Sequence, residues 1–251
     1  GMSKGRLDDL IEGIERLKNG ALVSILSIFL GIAAFIVLLA FLPQKILNMS
    51  LYLNITEVNR TVVSFIGKRL VAALPYLAAS GIMLIIAAVL AIASFILFFM
   101  ATGSLKRYNE DLGLGRMGLI IVLISLFLPL LILVGGILIA PTAPMGEGRH
   151  FPRFPVLMPA MLIMILLIIL SSLLMIIGLI LFSIMLIRLP KEGDVDEGFK
   201  TAGIIMAAGS VLMLIPLISI IGLVLFMVAL ILIYTSAKSS LKKLRSGVVV
   251  L

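Results

Sequence analysis

A chain of 251 residues with 62% hydrophobic and only 13% charged residues, at a mean hydropathy of +1.31, holds far more apolar surface than one water-soluble core could hide. The formal net charge of +8 and a pI near 10 are what basic flanks on membrane helices produce, so they do not call for a nucleic-acid partner. With no Cys, no Trp and one His, disulfides, thiolate metal sites and haem held by paired histidines are excluded, and no cofactor is expected. Scarce Asn and Gln together with absent Cys suit a thermophile.

Gly1 ahead of Met2 reads as a residue left by a cleaved tag. Residues 3–18 place Leu7, Leu10, Ile11, Ile14 and Leu17 at helical spacing among Asp8, Asp9, Glu12, Glu15 and Arg16. That pattern predicts an amphipathic helix on the membrane surface, with docking on the chain itself or on a partner as the alternative. Ala21 to Leu42 is the first apolar run, too long for a signal peptide and followed by no small-residue cleavage site. Further runs cover Leu70 to Thr102, Met117 to Ala140, Phe154 to Ile187 and Thr201 to Ala237. A hydrocarbon core about 30 Å thick takes roughly 20 apolar residues as helix, and open strands would leave backbone groups unpaired in lipid. The expectation is therefore an all-α polytopic bundle of about five spans forming one transmembrane domain, with the lipid bilayer as its medium.

The connections carry weaker signals. Residues 47–56 alternate, with Leu47, Met49, Leu51, Leu53 and Ile55 on one side, which is a strand period; an interfacial helix competes with it. Segments 103–116 and 188–200 are short and polar, 141–155 is rich in Pro and Gly, and none of them is large enough to be a second domain. A repeat of a basic residue, Gly and then Ser seven positions later joins Gly20 and Ser27, Gly118 and Ser125, and Gly203 and Ser210. Seven residues make two helical turns, so each pair shares a face on which a neighbouring helix could approach closely. These six are the candidate packing residues, for a homo-oligomer or a membrane partner as much as for the chain itself, and the repeat hints at a parallel duplication.

Motifs that could carry chemistry fare poorly. Gly113-Leu114-Gly115-Arg116-Met117-Gly118 fits G-x-G-x-x-G, but a polar loop precedes it where a dinucleotide site needs a strand. Glu192, Asp194, Asp196 and Glu197 crowd one loop without the spacing of a calcium loop. Met145, Met158, Met161 and Met164 could attract Cu(I), yet their spacing spreads around a helix and no Cys assists. His150 has no second His beside it, and Pro75, Pro129 and Pro216 predict kinks in three spans. None of the five runs contains Asp, Glu, Lys, Arg or His. Proton relays, voltage sensors and intramembrane hydrolases need such groups inside, so no catalytic, cofactor or metal residue is expected and the chain reads as a non-enzyme. A structural or accessory role comes first, and a conduit for a neutral, apolar or lipid-like solute second.

For orientation, five spans with the N-terminus inside place ten Lys and Arg on each face, and the positive-inside rule gives no answer. Three N-glycosylation acceptors in the first connection, Asn48, Asn54 and Asn59, favour a cytoplasmic N-terminus and an extracellular C-terminus in the cell membrane.

Glu12-Gly13-Ile14-Glu15-Arg16-Leu17-Lys18-Asn19-Gly20-Ala21-Leu22 and Tyr108-Asn109-Glu110-Asp111-Leu112-Gly113-Leu114-Gly115-Arg116-Met117-Gly118 resemble two recurrent segments of an archaeal family catalogued as domain of unknown function 973. The resemblance implies an archaeal multi-pass membrane protein and brings no catalytic motif with it.

Overall fold

The computed structural model of the chain describes residues 4–52, 61–139, 154–191 and 195–248, and all regular structure among them is helical. The order is α1 (Lys4–Tyr52), α2 (Thr61–Tyr108), α3 (Gly113–Ile139), α4 (Phe154–Arg188), α5 (Gly198–Leu212) and α6 (Ser219–Val248), with single 3-10 turns at Glu110–Leu112 and Leu189–Lys191. Five helical stretches are long and apolar enough to cross a bilayer: Gly5–Leu39, Leu74–Tyr108, Glu110–Pro129, Leu162–Lys191 and Ser219–Ser246. The chain is thus a multi-pass helical membrane protein. Its side-chain distribution agrees: Phe29, Phe35, Ile85, Ile92 and Leu166 are more than half exposed, while Ala21, Ala101, Ala202, Ser183 and Ser210 are fully buried. Large apolar groups outside and small ones inside suit a solvent of lipid tails, in which close backbone approach is what holds helices together.

By contact density the chain divides into two units, Gly1–Lys18 with Phe98–Leu251, and Asn19–Leu97. Within the second, α1 and α2 run antiparallel: the Ser27 hydroxyl donates to the Ala87 carbonyl at 2.8 Å and that of Ser94 to the Gly20 carbonyl at 2.9 Å. Within the first, α3 and α4 are antiparallel, with Ser171 donating to the Ser125 carbonyl at 2.7 Å, and α5 packs on α4 through Gly203.

Three sequence expectations change here. The run Thr201 to Ala237 is not one helix, because α5 ends at Leu212 and α6, which carries the fifth candidate span, starts at Ser219. Between them Pro216, which lacks an amide proton, sits in a tight turn, and the two arms fold back on each other: Gly209 meets Gly222, and the Asp196 amide donates to Ser240 Oγ at 2.8 Å. The amphipathic helix is not a separate surface helix either. It forms the first turns of α1, with Leu10, Ile14 and Leu17 at 1% exposure or less and Gly13 seated against Leu105 and Ala101 of α2. Docking on the chain itself covers the apolar stripe that would otherwise need lipid. Thirdly, positions 47–52 are helical rather than extended, since α1 continues to Tyr52; the rest of that segment lies outside the described residues. A lone strand has no partner for its backbone, whereas a helix satisfies its own.

Candidate functional site

The described residues offer two kinds of organised polar structure: a cluster of charges where helix ends meet, and hydroxyls distributed along the helix crossings. In the cluster, Arg107 of α2 donates from Nε to Asp9 Oδ1 at 2.9 Å and from a terminal nitrogen to Glu12 Oε2 at 3.2 Å. Arg16 pairs with Glu12 one turn earlier on α1 at 2.5 Å, and Ser104 stands among all three, donating to Glu12 and accepting from Arg16 and Arg107 at 3.2 Å each. On the same stretch of α1, Glu15 accepts from Arg245 near the end of α6 at 3.0 Å. These pairs are half-exposed, and each is worth only about 0–1 kcal/mol. Their value is positional, because they join three helix ends. Through Glu15 and Arg245 the first turns of α1 and the last turns of α6 share one ion pair.

At the base of the α5–α6 hairpin, Asp196 Oδ1 accepts the Gly198 amide at 2.8 Å. That hydrogen bond, helped by the hydroxyls of Ser239 and Ser236 and the charge of Lys243 against an opposing contribution from burial, holds the Asp196 carboxyl below the usual carboxylate range. The side chain supplies an acceptor for a helix N-terminus whose first amides have no partner of their own. Of the other acidic loop residues, Glu197 is exposed, and Glu192 and Asp194 lie outside the described residues. No three His, Asp or Glu side chains converge on one point among the described residues.

The glycine motif 113–118 is structural. Asn109 caps the preceding 3-10 turn by accepting the Asp111 amide at 3.0 Å, and α3 begins at Gly113 with no strand before it. A methyl on Gly115 would run into Met185, and one on Gly118 into the Gly178 carbonyl and the Phe182 amide, so these glycines admit α4 rather than a pyrophosphate. Arg116 stacks over the Phe99 ring at 5.1 Å from its centroid. Lys106, Glu110, Asp111, Gly113, Met117 and Arg188 border an open groove of about 430 Å³, whose lining holds two cations and two carboxylates.

The structure spreads the six packing candidates over several crossings. Gly20 is buried and its carbonyl accepts from Ser94; Gly118 faces Gly178; Gly203 faces the Ser183 carbonyl, where an added methyl carbon would come to 2.6 Å. Ser27 donates across to α2, whereas Ser125 and Ser210 donate to carbonyls of their own helices, Val122 and Met206, at 2.7 Å. Ser24 and Ser94 hydrogen-bond each other. Asn48 falls within α1, while Asn54, Asn59, Met145 and His150 lie outside the described residues. Met158 and Met161 fall on α4, and Met164, further along it, is exposed. Sequence reasoning missed Gly178, Gly209 and Gly222 as crossing points, and Ser104, Arg107 and Arg245 as partners of α1. The Gly209 and Gly222 pair, seven residues before and six after Pro216, was the legible signal of a hairpin.

No curated protein and no solved structure matches the chain. A family profile matches residues 10–250, nearly the whole length, and covers both segments whose wording suggested it. The chain belongs to the family described as protein of unknown function DUF973.

Proposed function

We propose that the protein is a non-enzymatic accessory component of the cell membrane, with both termini on the cytoplasmic face, that offers a charged collar of helix ends to whatever it assembles with. The observation that carries this reading is the closure of the interior. Where a polar path across the bundle would need free hydroxyls, Ser125 and Ser210 are 1% exposed or less and spend their protons on their own helices. At the α3–α4 crossing the backbones of Gly118 and Gly178 are too close for a methyl group. A conduit needs room for its solute and polar groups left to solvate it. The folded-back α5–α6 hairpin also supports a different division of the charges. With the Lys and Arg of the C-terminal segment returned to the N-terminal face, this reading assigns fourteen of the twenty to that face and six, at sequence positions 43–69 and 141–153, to the other. That asymmetry supports a cytoplasmic assignment for the terminal face.

Stopped-flow light scattering on proteoliposomes tests the closed interior. Rates of osmotic shrinkage in glycerol, urea and water should equal those of protein-free vesicles. A several-fold acceleration for any of these solutes, abolished by Ser125→Leu, would replace the accessory reading by the conduit.

A further inference from the structure

The α5–α6 hairpin has a tip unlike any aqueous turn. Residues 213–219 read Met-Leu-Ile-Pro-Leu-Ile-Ser, without a charge, and Leu217 and Ile220 are 95% and 74% exposed, so no described residue covers them. The connection on the other side of the hairpin, by contrast, holds Lys191, Asp196, Glu197 and Lys200 in ten residues, and Lys238, Lys242 and Lys243 follow on α6. Asp196 bound to Ser240 and Gly198 against Ser236 set Lys200 and Lys238 within about one helical turn of each other, and in the membrane-spanning reading this charged end lies at one bilayer surface. From there α5 runs for 15 residues, a rise of about 22 Å, and α6 returns from Ser219 to Lys238 over a rise of about 29 Å, against a hydrocarbon core about 30 Å thick. The turn therefore lies at the depth of the far leaflet, and it carries no charge that would anchor it among the headgroups.

The backbone of the turn is built for that position. Irregular backbone in hydrocarbon is tolerable only when its polar groups are satisfied internally. Met213 donates to Gly209, Leu214 to Val211, Ile215 to Leu212, Ile218 to Ile215, and Ile221 and Gly222 to Ile218, all within 3.2 Å. Pro216 has no amide to satisfy, and the Ser219 hydroxyl closes back on the Pro216 carbonyl at 3.0 Å. A turn destined for water needs neither this run of internal bonds nor an uninterrupted apolar surface.

We infer that residues 213–219 form a lipid-immersed tip, so that α5 and α6 make a re-entrant hairpin entering from the face that carries the termini and meeting the acyl chains of the far leaflet. The inference rests on the membrane-spanning reading of the bundle and deepens it: the hairpin contributes no loop to the outer aqueous phase, and its partner is hydrocarbon.

The absence of native Cys allows single-cysteine accessibility in the full chain. Leu217→Cys should resist a membrane-impermeant maleimide in intact and in permeabilised cells, and react fully after denaturation in detergent. Lys242→Cys should react only after permeabilisation, and Met145→Cys already in intact cells. Labelling of Leu217→Cys in intact cells, or on permeabilisation alone, overturns the lipid-immersed tip. Labelling of Lys242→Cys in intact cells overturns the cytoplasmic assignment instead and leaves the tip standing, so the two failures are distinct. A nitroxide on Leu217→Cys, in vesicles at low protein content, separates lipid from a second copy: high collision with oxygen and low collision with a nickel chelate is expected. Low accessibility to both probes would put another protein surface over the tip and overturn the inference.

Discussion

Gly118 and Gly178 face each other across the α3–α4 crossing, and an added carbon on either one meets the other's carbonyl oxygen. Neither backbone can yield without separating the helices, and in lipid the lost van der Waals contact is the main force that joined them. Gly118→Ala and Gly178→Ala should therefore each cost about 1–3 kcal/mol, the usual range for overpacking. Gly31 and Gly81 have open space at the corresponding position, so Gly31→Ala and Gly81→Ala should leave stability unchanged or raise it slightly through helix propensity. Thermal denaturation in detergent reads this directly, at roughly 2–4 °C per kcal/mol for a chain of this size. Equal midpoints for all four variants would mean that the crossing is not tight. Gly178 lies outside the spaced Gly and Ser repeat yet is as enclosed as Gly118. Close packing here follows from which residues meet, and repetition within one strand of sequence does not by itself identify the partner glycine.

Among the elements, the α5–α6 hairpin depends on how its open end is tied. Asp196 serves the Gly198 amide through its side chain and Ser240 through its backbone, while Ser236 packs so close to Gly198 that no side chain fits between them. The carboxyl of Asp196 titrates below its ordinary range, chiefly because of the Gly198 hydrogen bond. A group whose pKa is depressed by folding adds stability above its unfolded pKa, about 3.9 for Asp, and loses it as the pH falls through the lower folded value. Wild-type protein should thus lose part of its hairpin stability below about pH 4. Asp196→Asn keeps an acceptor for the amide but removes the titration, so its stability should fall less over that interval. Asp196→Ala, which removes the acceptor, should cost about 1 kcal/mol at neutral pH, as helix N-terminal acceptors do. Denaturation followed at pH 7 and pH 3 by circular dichroism checks both; parallel pH profiles for wild type and Asp196→Asn would contradict the assignment of the titration to this residue.

For the whole molecule, the sharpest consequence is topological. In the proposed topology α1 opens and α6 closes on one face, as the Glu15–Arg245 pair suggests, and fourteen basic residues are assigned to that face. A protease added to intact cells should spare tags at both the N-terminus and the C-terminus and cut both once the membrane is opened. Cleavage of the C-terminal tag alone would restore a five-span topology and contradict the Glu15–Arg245 pair; cleavage of both would invert the protein.

Length, composition and uninterrupted apolar runs determined from sequence that this is a helical, multi-pass membrane protein, because a backbone in hydrocarbon must satisfy itself and helices do so within one segment. The segments 12–22 and 108–118 were enough to suggest the family. What the runs could not reveal was how they fold on one another. Thr201 to Ala237 has the length of one tilted span and equally the length of two short arms, and hydropathy is the same for both. The difference was decided by pairing: Gly209 against Gly222 and Asp196 against Ser240 are contacts between residues 13 and 44 positions apart. In the same way, the stripe of Leu10, Ile14 and Leu17 demands an apolar neighbour but does not say whether lipid or protein provides it. Tertiary structure supplied Leu105 and Ala101, and with them the charged collar above. Periodicity records which face of a helix must be covered; the covering partner is set by packing among distant segments.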